Sequence, residues 1–297
     1  LRKSNRRKKM KKIKFLVAIT LLVGLLTACG SNNKQGETAS AEGNKVYRTL
    51  DEIKESGKIK VGVFSDKNPF GYVDENGEYQ GYDIWLGNRL AKDLGVDVEY
   101  VSTEAANRAK FLETGKVDLI LANFTVTDER KEVVDFALPY MKVSLGVVSP
   151  DNALIKDVEE LNGKTLIVAK GTTADIYFTK NHPEVKLQKY DQYTEAYNAL
   201  LDGRGDAFST DNTEVLAWAI QNPGFTVGIE SLGDVDTIAP AVSKGNDTLL
   251  NWINDEIKAL GEENFFHEGF EKTLKPVYGE EVDADSLVVE GGEVNGK

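Results

Sequence analysis

The chain has little of the chemistry on which metal centres and disulfide scaffolds depend. Its 297 residues include one cysteine and two histidines. One cysteine forms no internal disulfide, and two isolated histidines without a cysteine cluster do not make a zinc set. Basic residues are also scarce over most of the chain. Nine of the 36 Lys and Arg crowd into the first fourteen positions (Arg2, Lys3, Arg6, Arg7, Lys8, Lys9, Lys11, Lys12, Lys14), which leaves 27 against all 48 Asp and Glu, a balance of −21. A body that acidic lacks the basic face needed to bind nucleic acid. Apolar runs long enough to span a bilayer, about 20 residues, are missing as well. The remaining composition, 41% hydrophobic, 28% charged and 9% aromatic, is that of an ordinary globular protein. The length allows two domains of roughly 100–200 residues each.

The amino terminus accounts for the basic cluster and the lone cysteine together. After Lys14 comes an apolar run, Phe15 to Leu26. It is too short for a membrane span and fits the core of a signal peptide. Leu25-Leu26-Thr27-Ala28-Cys29-Gly30 resembles a bacterial lipobox, in which cleavage before the cysteine leaves a diacylglyceryl-modified, N-acylated Cys29. The plainer alternative is a cleaved signal with an incidental free cysteine. Leu1 is not Met, and Met10-Lys11-Lys12 makes a better signal-peptide start, so either residues 1–9 are an over-long start or Leu1 marks a non-Met start codon. Residues 1–28 are thus read as signal peptide. Residues 29–45, where Ser31 to Asn44 is rich in Ser, Asn, Gly, Glu and Gln, are read as a lipid-anchored flexible tether. Residues 290–297 are read as a flexible tail.

Between tether and tail the pattern alternates strand and helix. Thr49-Leu50-Asp51-Glu52 is a capping-box signal that opens a short helix, and Gly57 stops it. Ile59, Val61 and Val63 alternate as a strand, and Leu86, Leu90 and Leu94 fall at helical spacing before Gly95. Strand Val98–Val101, helix Asn107–Thr114 and strand Val117–Ala122 follow. The second half repeats the rhythm with strands Thr165–Ala169, Lys186–Tyr190 and Asp206–Ser209 and helices Ala174–Lys180, Thr194–Leu201 and Thr213–Gln221. Such alternation argues for parallel sheets with helices on both faces. The halves also match in detail: Gly115-x-x-Asp118 runs through a strand to Asn123-Phe124-Thr125, and Gly203-x-x-Asp206 runs to Asp211-Asn212-Thr213 with the same offsets. Two similar α/β lobes would place ligands beyond the carboxyl ends of their strands.

Those strand ends carry suitable chemistry. Thr125, Thr127 and Arg130 offer hydroxyls and a guanidinium fork for a carboxylate. Asp211 offers an acceptor for an ammonium group. Gly171-Thr172-Thr173 opens a helix whose free N–H groups favour an anion. Together they could hold both charges of an α-amino acid. Each also has a bland reading. Arg130 pairs equally well with Asp128 or Glu129, and Asp211 with Glu214, like Thr172 with Asp175, fits a capping box.

An ordered set of motifs resembles the substrate-binding proteins of ABC importers for polar amino acids, bacterial solute-binding protein family 3. The set is Lys60-Val61-Gly62-Val63, Pro69-Phe70-Gly71-Tyr72, Gly81-Tyr82-Asp83-Ile84, Gly115-Lys116-Val117-Asp118-Leu119, then Ala122-Asn123-Phe124-Thr125-Val126-Thr127-Asp128-Glu129-Arg130, Val134-Asp135-Phe136 and Pro139-Tyr140. The resemblance implies a two-lobed α/β fold of the type II periplasmic-binding-protein kind, with two mixed sheets joined by two hinge strands near Met141–Val147 and Asp236–Val242. Lobe 1 would comprise 46–143 and 240–289, and lobe 2 would comprise 144–239. It further implies that Arg130 and Thr125, beside Phe124, bind the ligand α-carboxylate, and that the main chain at Asn123 and the side chain of Asp211 bind the α-ammonium. Thr172 and the Thr173 amide would complete the carboxylate cage. Asp66 and Phe70 would contact the ligand's side chain.

One departure bears on the ligand. Many members carry a stacking aromatic just before the helix that leads to Gly115, where this chain has Thr103-Glu104-Ala105-Ala106-Asn107-Arg108. Alanine leaves space into which Arg108 could reach. That segment, the Ala122-Asn123-Phe124-Thr125 variant, Phe265-Phe266-His267-Glu268 and Leu274-Lys275-Pro276 resemble the cysteine- and cystine-binding branch. The expectation is a monomeric, extracytoplasmic lipoprotein without cofactor or metal. It would bind cysteine or cystine and deliver it to an ABC permease and its ATPase. The alternatives are a cyclohexadienyl dehydratase-like enzyme on the same fold, which needs a placed acid or base that neither His182 nor His267 supplies but a carboxylate could, and an amino-acid sensor domain.

Overall fold

Thr49 opens the first helix, α1 (Leu50–Ser56), through the capping box read from the sequence: its hydroxyl accepts from Glu52 N, and the Glu52 carboxylate accepts from Thr49 N at 2.6 Å. Gly57 ends it in the left-handed conformation, φ +66°, where glycine carries no Cβ penalty. The computed structural model describes residues 46–280 and 282–294. The expected signal peptide, Cys29 and the tether lie outside the described residues.

The chain then runs through β1 (Lys58–Val63), a small hairpin sheet of β2 (Asp66–Lys67), β3 (Gly71–Val73) and β4 (Tyr79–Gln80), helix α2 (Tyr82–Leu94) and β5 (Asp97–Ser102). A 3₁₀ turn at Ala105–Asn107 leads into α3 (Arg108–Glu113), followed by β6 (Leu119–Ile120), α4 (Asp128–Lys131) and β7 (Val134–Phe136). Strand β8 (Met141–Pro150) enters a second sheet that continues with β9 (Thr165–Ala169), α5 (Thr173–Asn181), β10 (Lys186–Tyr190), α6 (Tyr193–Leu201), β11 (Ala207–Asp211), α7 (Asn212–Gln221) and β12 (Phe225–Ile238). The chain returns through β13 (Ala241–Ser243) to the first sheet. It closes with α8 (Asp247–Glu262), α9 (Phe265–Gly269), a π-helical turn at Phe270–Leu274, α10 (Lys275–Tyr278) and α11 (Ala284–Leu287).

Both sheets have five strands, in the orders β5-β1-β6-β13-β7 and β10-β9-β11-β8-β12. The parallel arrangement argued from alternation holds for three strands of each: β5, β1 and β6 in the first, β10, β9 and β11 in the second. The rest pair antiparallel: β13 runs against β6 and β7 where the chain returns to the first sheet, and β8 runs against β11 and β12. β8 and β12 pair antiparallel from Met141 opposite Ile238 to Pro150 opposite Phe225. Only β13, just beyond β12, lies in the first sheet, between β6 and β7. The fold is α/β, with two lobes built on mixed sheets with flanking helices and two strands between them.

One apolar cluster gathers Ile59, Val61, Leu86, Leu90 and Val242 with Leu249, Ile253 and Ile257 of α8. Another joins Phe64, Ala122 and Phe124 of the first lobe to Ile167, Tyr193 and Phe208 of the second. Burial of each such aromatic or aliphatic side chain contributes about 1.5–3 kcal/mol. The tail expected from residue 290 does not begin there. Glu290–Gly292 form a 3₁₀ turn packed on α8. The Glu290 carboxylate accepts from the backbone N–H groups of Phe266 and His267 at 3.1 and 3.0 Å and lies 2.6 Å from His267 Nδ1.

Candidate ligand-binding site

The first-lobe half of the site starts from a backbone turn. Beyond β6, Asn123 adopts φ +48°, a conformation that asparagine tolerates better than most residues with a side chain. Asp83, in the first turn of α2, holds this turn by accepting from Asn123 N at 2.9 Å, and Tyr140 donates to its other oxygen at 2.5 Å. Burial pushes the Asp83 carboxyl up to about 7, against the opposing pull of Tyr140 and Lys67. The turn presents the carbonyls of Ala122 and Asn123 to Arg108 Nη1, at 2.9 and 3.1 Å. Arg108 Nε also donates to Ala105 O at 3.0 Å.

Arg130 comes from α4, where the Thr127 hydroxyl caps the helix by accepting from Arg130 N. Its Nη1 donates to Thr125 O at 2.7 Å. The two guanidiniums flank one ring: Arg108 Cζ lies 4.3 Å and Arg130 Cζ 4.8 Å from the Phe124 centroid. They converge on one acceptor of the second lobe, Gly171 O, at 3.4 Å from Arg108 Nη2 and 3.1 Å from Arg130 Nη2. Both are buried, and among the described residues neither pairs with a carboxylate. Asp128, the expected bland partner, instead faces Lys131 at 3.1 Å. Burial lowers Arg108 to about 10. Burial and the neighbouring Arg108 lower Arg130 to about 9. Guanidinium stays protonated near neutral pH, so both remain cations, and the depression registers chiefly their loss of hydration.

In the second lobe, Thr172 caps α5. Its hydroxyl accepts from Asp175 N at 3.2 Å and donates to Ala169 O at 2.8 Å, while Asp175 accepts from Gly171 N at 3.0 Å. The Thr172 hydroxyl thus serves as a helix cap. Thr173, Thr125 and Asp211 line a common cavity of about 220 Å³ beside Val143 and Tyr177 of β8 and α5. Asp211 precedes α7 but makes no capping bond. Glu214 does not reach it. One Glu214 oxygen accepts from Tyr197 OH at 3.2 Å, the other is buried without a partner among the described residues, and burial pushes the carboxyl up to about 8.

Asp211 reaches a residue that the sequence reading missed. Lys67, in β2 of the first lobe, donates from Nζ to Asp211 Oδ2 at 2.6 Å and to Asn123 Oδ1 at 2.7 Å. It is 1% exposed, with Nζ 5.5, 5.5 and 4.9 Å from the ring centroids of Phe64, Phe70 and Tyr193. Burial works against its charge, but Asp211, through its own charge and its hydrogen bond, outweighs it and holds the pKa above the ordinary lysine value. In the sequence Lys67 lies in the loop after the first strand, between Asp66 and Phe70, and is given no role. No local signal marks it, because β2 is two residues long and the partner of Lys67 lies 144 residues away.

Asp66 points elsewhere. Its carboxylate accepts from Thr194 N, at the start of α6 in the other lobe, at 3.1 Å. Burial raises its pKa, and the Thr194 and Tyr193 amides oppose the rise. Phe70 is fully buried with its ring beside Lys67. The lobes also meet backbone to backbone: a Cβ built on Gly171 would lie 2.6 Å from Ala106 Cα. The structure therefore brings Asn123, Phe124, Thr125, Arg130, Arg108 and Asp211 to one cleft with Lys67. It assigns Thr172 to a helix end and Asp66 to a bridge between lobes.

Several known proteins share this arrangement of chain. The crystal structure of the L-cysteine solute receptor of Neisseria gonorrhoeae has 57% sequence identity and a TM-score of 0.81, covering 82% of this chain and all of that one. The cysteine-binding protein of Campylobacter jejuni has 54% identity and a TM-score of 0.80, covering 81% of this chain and 98% of that one. The ABC transporter glutamine-binding protein of Bacillus subtilis (strain 168) is 34% identical over 272 residues, 90% of this chain and 98% of that protein. Residues 59–275 match the family model of the bacterial extracellular solute-binding proteins, family 3, and the chain belongs to that family.

Proposed function

We propose that this solute-binding protein is the amino-acid-binding subunit of an ABC importer, and that its ligand is cysteine, with cystine as the larger alternative. The observation that carries the amino-acid reading is a pair of buried guanidiniums with no carboxylate partner among the described residues, facing Asp211 of the other lobe. A ligand α-carboxylate would supply the missing negative charge at Arg130 and Arg108, with Thr125 and the Thr173 amide beside it. The α-ammonium would lie on Asp211 and the Asn123 carbonyl. Two relatives at 57% and 54% identity are named for cysteine, and alanine at 105 and 106 leaves Arg108 room in the cleft. The mature protein is held at the membrane by lipid on Cys29, acts as a monomer and carries out no chemistry on its ligand. Dehydratase activity would show as turnover of prephenate or arogenate, and none is expected.

The test is a thermal-shift screen of the purified protein against all amino acids plus cystine, followed by calorimetry. A ligand at 100-fold over its Kd stabilises the native state by about 2.7 kcal/mol. Arg130→Ala and Asp211→Ala should fold but bind weakly, because stranding one partner of a desolvated charge pair costs on the order of 2–5 kcal/mol. That is a loss of roughly 30- to several-thousand-fold in affinity. Near wild-type affinity in either folded variant removes that residue from the site.

A further inference from the structure

The ammonium of Lys67 sits on the very carboxylate that the proposed function assigns to the ligand's ammonium. It uses Asp211 Oδ2 and Asn123 Oδ1. Lysine has three N–H donors, and among the described residues the third meets no oxygen, only the rings of Phe64, Phe70 and Tyr193. A ligand ammonium on the other oxygen of Asp211 would put the ligand's α-carbon, and any one-carbon side chain, next to Lys67 Nζ.

The charges around that point are unbalanced. Lys67 from β2, Arg108 from α3 and Arg130 from α4 are cations. Asp211 from β11 is the one carboxylate among the facing groups that is ion-paired. Asp83 from α2 and Glu214 from α7 are pushed by burial to about 7 and about 8. Tyr193 from α6 is held protonated by burial, and Asp66 of β2 is turned to the α6 amides. A zwitterionic amino acid adds one charge of each sign and leaves this positive surplus as it was. A ligand with a second anionic group reduces it, and a basic side chain adds to it beside an ammonium.

We propose that Lys67 is the specificity-determining residue of this cleft, receiving the ligand's side chain as an anion so that cysteine is bound as its thiolate. The inference rests on the cysteine reading above. The S–H bond breaks, the proton leaves to solvent, and Lys67 stays an ammonium. Serine, whose hydroxyl does not ionise near neutral pH, is disfavoured, and arginine and lysine are repelled. The device is one of general chemistry: a cation beside a thiol favours the thiolate. To hold the bound thiol almost fully ionised at pH 7, the site must bring it from about 8.5 to about 5.5, a preference for thiolate over thiol of roughly 1,000-fold, of which about 30-fold appears as affinity at that pH.

Proton release measures this directly. Calorimetry of the purified protein with L-cysteine under reducing conditions, near neutral pH in two buffers of different ionisation enthalpy, should show close to one proton released per ligand bound, and none with L-serine. In Lys67→Met the release should vanish and cysteine affinity should drop by roughly 30-fold toward that of serine. Lys67→Arg, which keeps the charge, should keep the release. Cysteine binding without proton release in the wild type overturns the proposal. So does a Lys67→Met protein that weakens cysteine and serine by the same factor with release intact, since Lys67 then only holds the lobes together. No cysteine binding by the wild type defeats the ligand reading itself and this inference with it.

Discussion

Replacing Gly171 with alanine separates the stability of the second lobe from the closure of the cleft. Gly171 sits at φ +74°, which costs a residue with a Cβ about 1–2 kcal/mol whether the lobes are together or apart. The second effect exists only when the lobes meet. The new Cβ would lie 2.6 Å from Ala106 Cα and 2.9 Å from Ala106 N. Ordinary contact between carbons is about 3.5–4.0 Å, and the obstacle is backbone, so no rotamer relieves it. The lobes must stay roughly 1 Å further apart at this point. That displacement stretches the bond from Arg130 Nη2 to Gly171 O, now 3.1 Å, beyond hydrogen-bonding range. A hydrogen bond to a charged group is worth about 1.5–3 kcal/mol, so ligand affinity should fall by roughly 10- to 150-fold. Calorimetry measures the affinity, urea unfolding measures the stability, and small-angle scattering with saturating ligand should show less compaction than in the wild type. Wild-type affinity together with full compaction would refute the reasoning, because the lobes would then close without this contact.

Two further outcomes follow from the residues. Cys29→Ser should release the protein from the membrane fraction, and mass spectrometry finding an unmodified Cys29 in the native mature protein would remove the anchor. Glu214 is pushed up by burial to about 8, from an unfolded value of about 4.3, so the native state holds a proton that the unfolded state gives up. Its contribution to stability is therefore full below about pH 4 and is lost as pH rises through about 8. Glu214→Gln should lose less stability than wild type between about pH 5 and about pH 8 in urea titrations, and equal losses would count against the assignment.

What the sequence revealed was set by how local each signal is. The ends of α1 and α2 were legible because Thr49, Glu52, Gly57 and Gly95 act within one turn of the chain. Arg130 and Asp211 were legible as candidates because each follows a strand end inside a dense motif. The antiparallel members of both sheets were not, since the pairing of β8 with β12 depends on how two distant segments cross between lobes. β2, β3 and β4 are two or three residues long, too short for any periodicity. Lys67 finds its partner 144 residues away, and Glu290 finds His267 only because α9 folds back beneath the carboxyl-terminal turn. The bland alternatives for Arg130 and Asp211 were equally local, and only the fold discriminated against them. Arg130 turns away from Asp128, and Asp211 leaves its helix end uncapped.

Asp66 and Lys67 are neighbours in one short strand, so their side chains leave it on opposite sides, yet both reach the second lobe. Asp66 accepts from the first amides of α6 and Lys67 donates to Asp211. Arg108 and Arg130 reach Gly171 O from a third direction. Apolar contact across the cleft does exist, as where Phe64 meets the edge of Tyr193 at 5.4 Å, but these bridges are made by charged side chains that closure takes out of water. Desolvating a cation costs several kcal/mol unless an anion compensates it. Lys67 has Asp211, whereas among the described residues Arg108 and Arg130 have only carbonyl oxygens. An anionic group delivered between the two guanidiniums therefore stabilises the closed arrangement far more than the open one, in which both can be hydrated. That difference in affinity for two states is what shifts a population. If the ligand binds as proposed, closure is thereby tied to the arrival of its carboxylate.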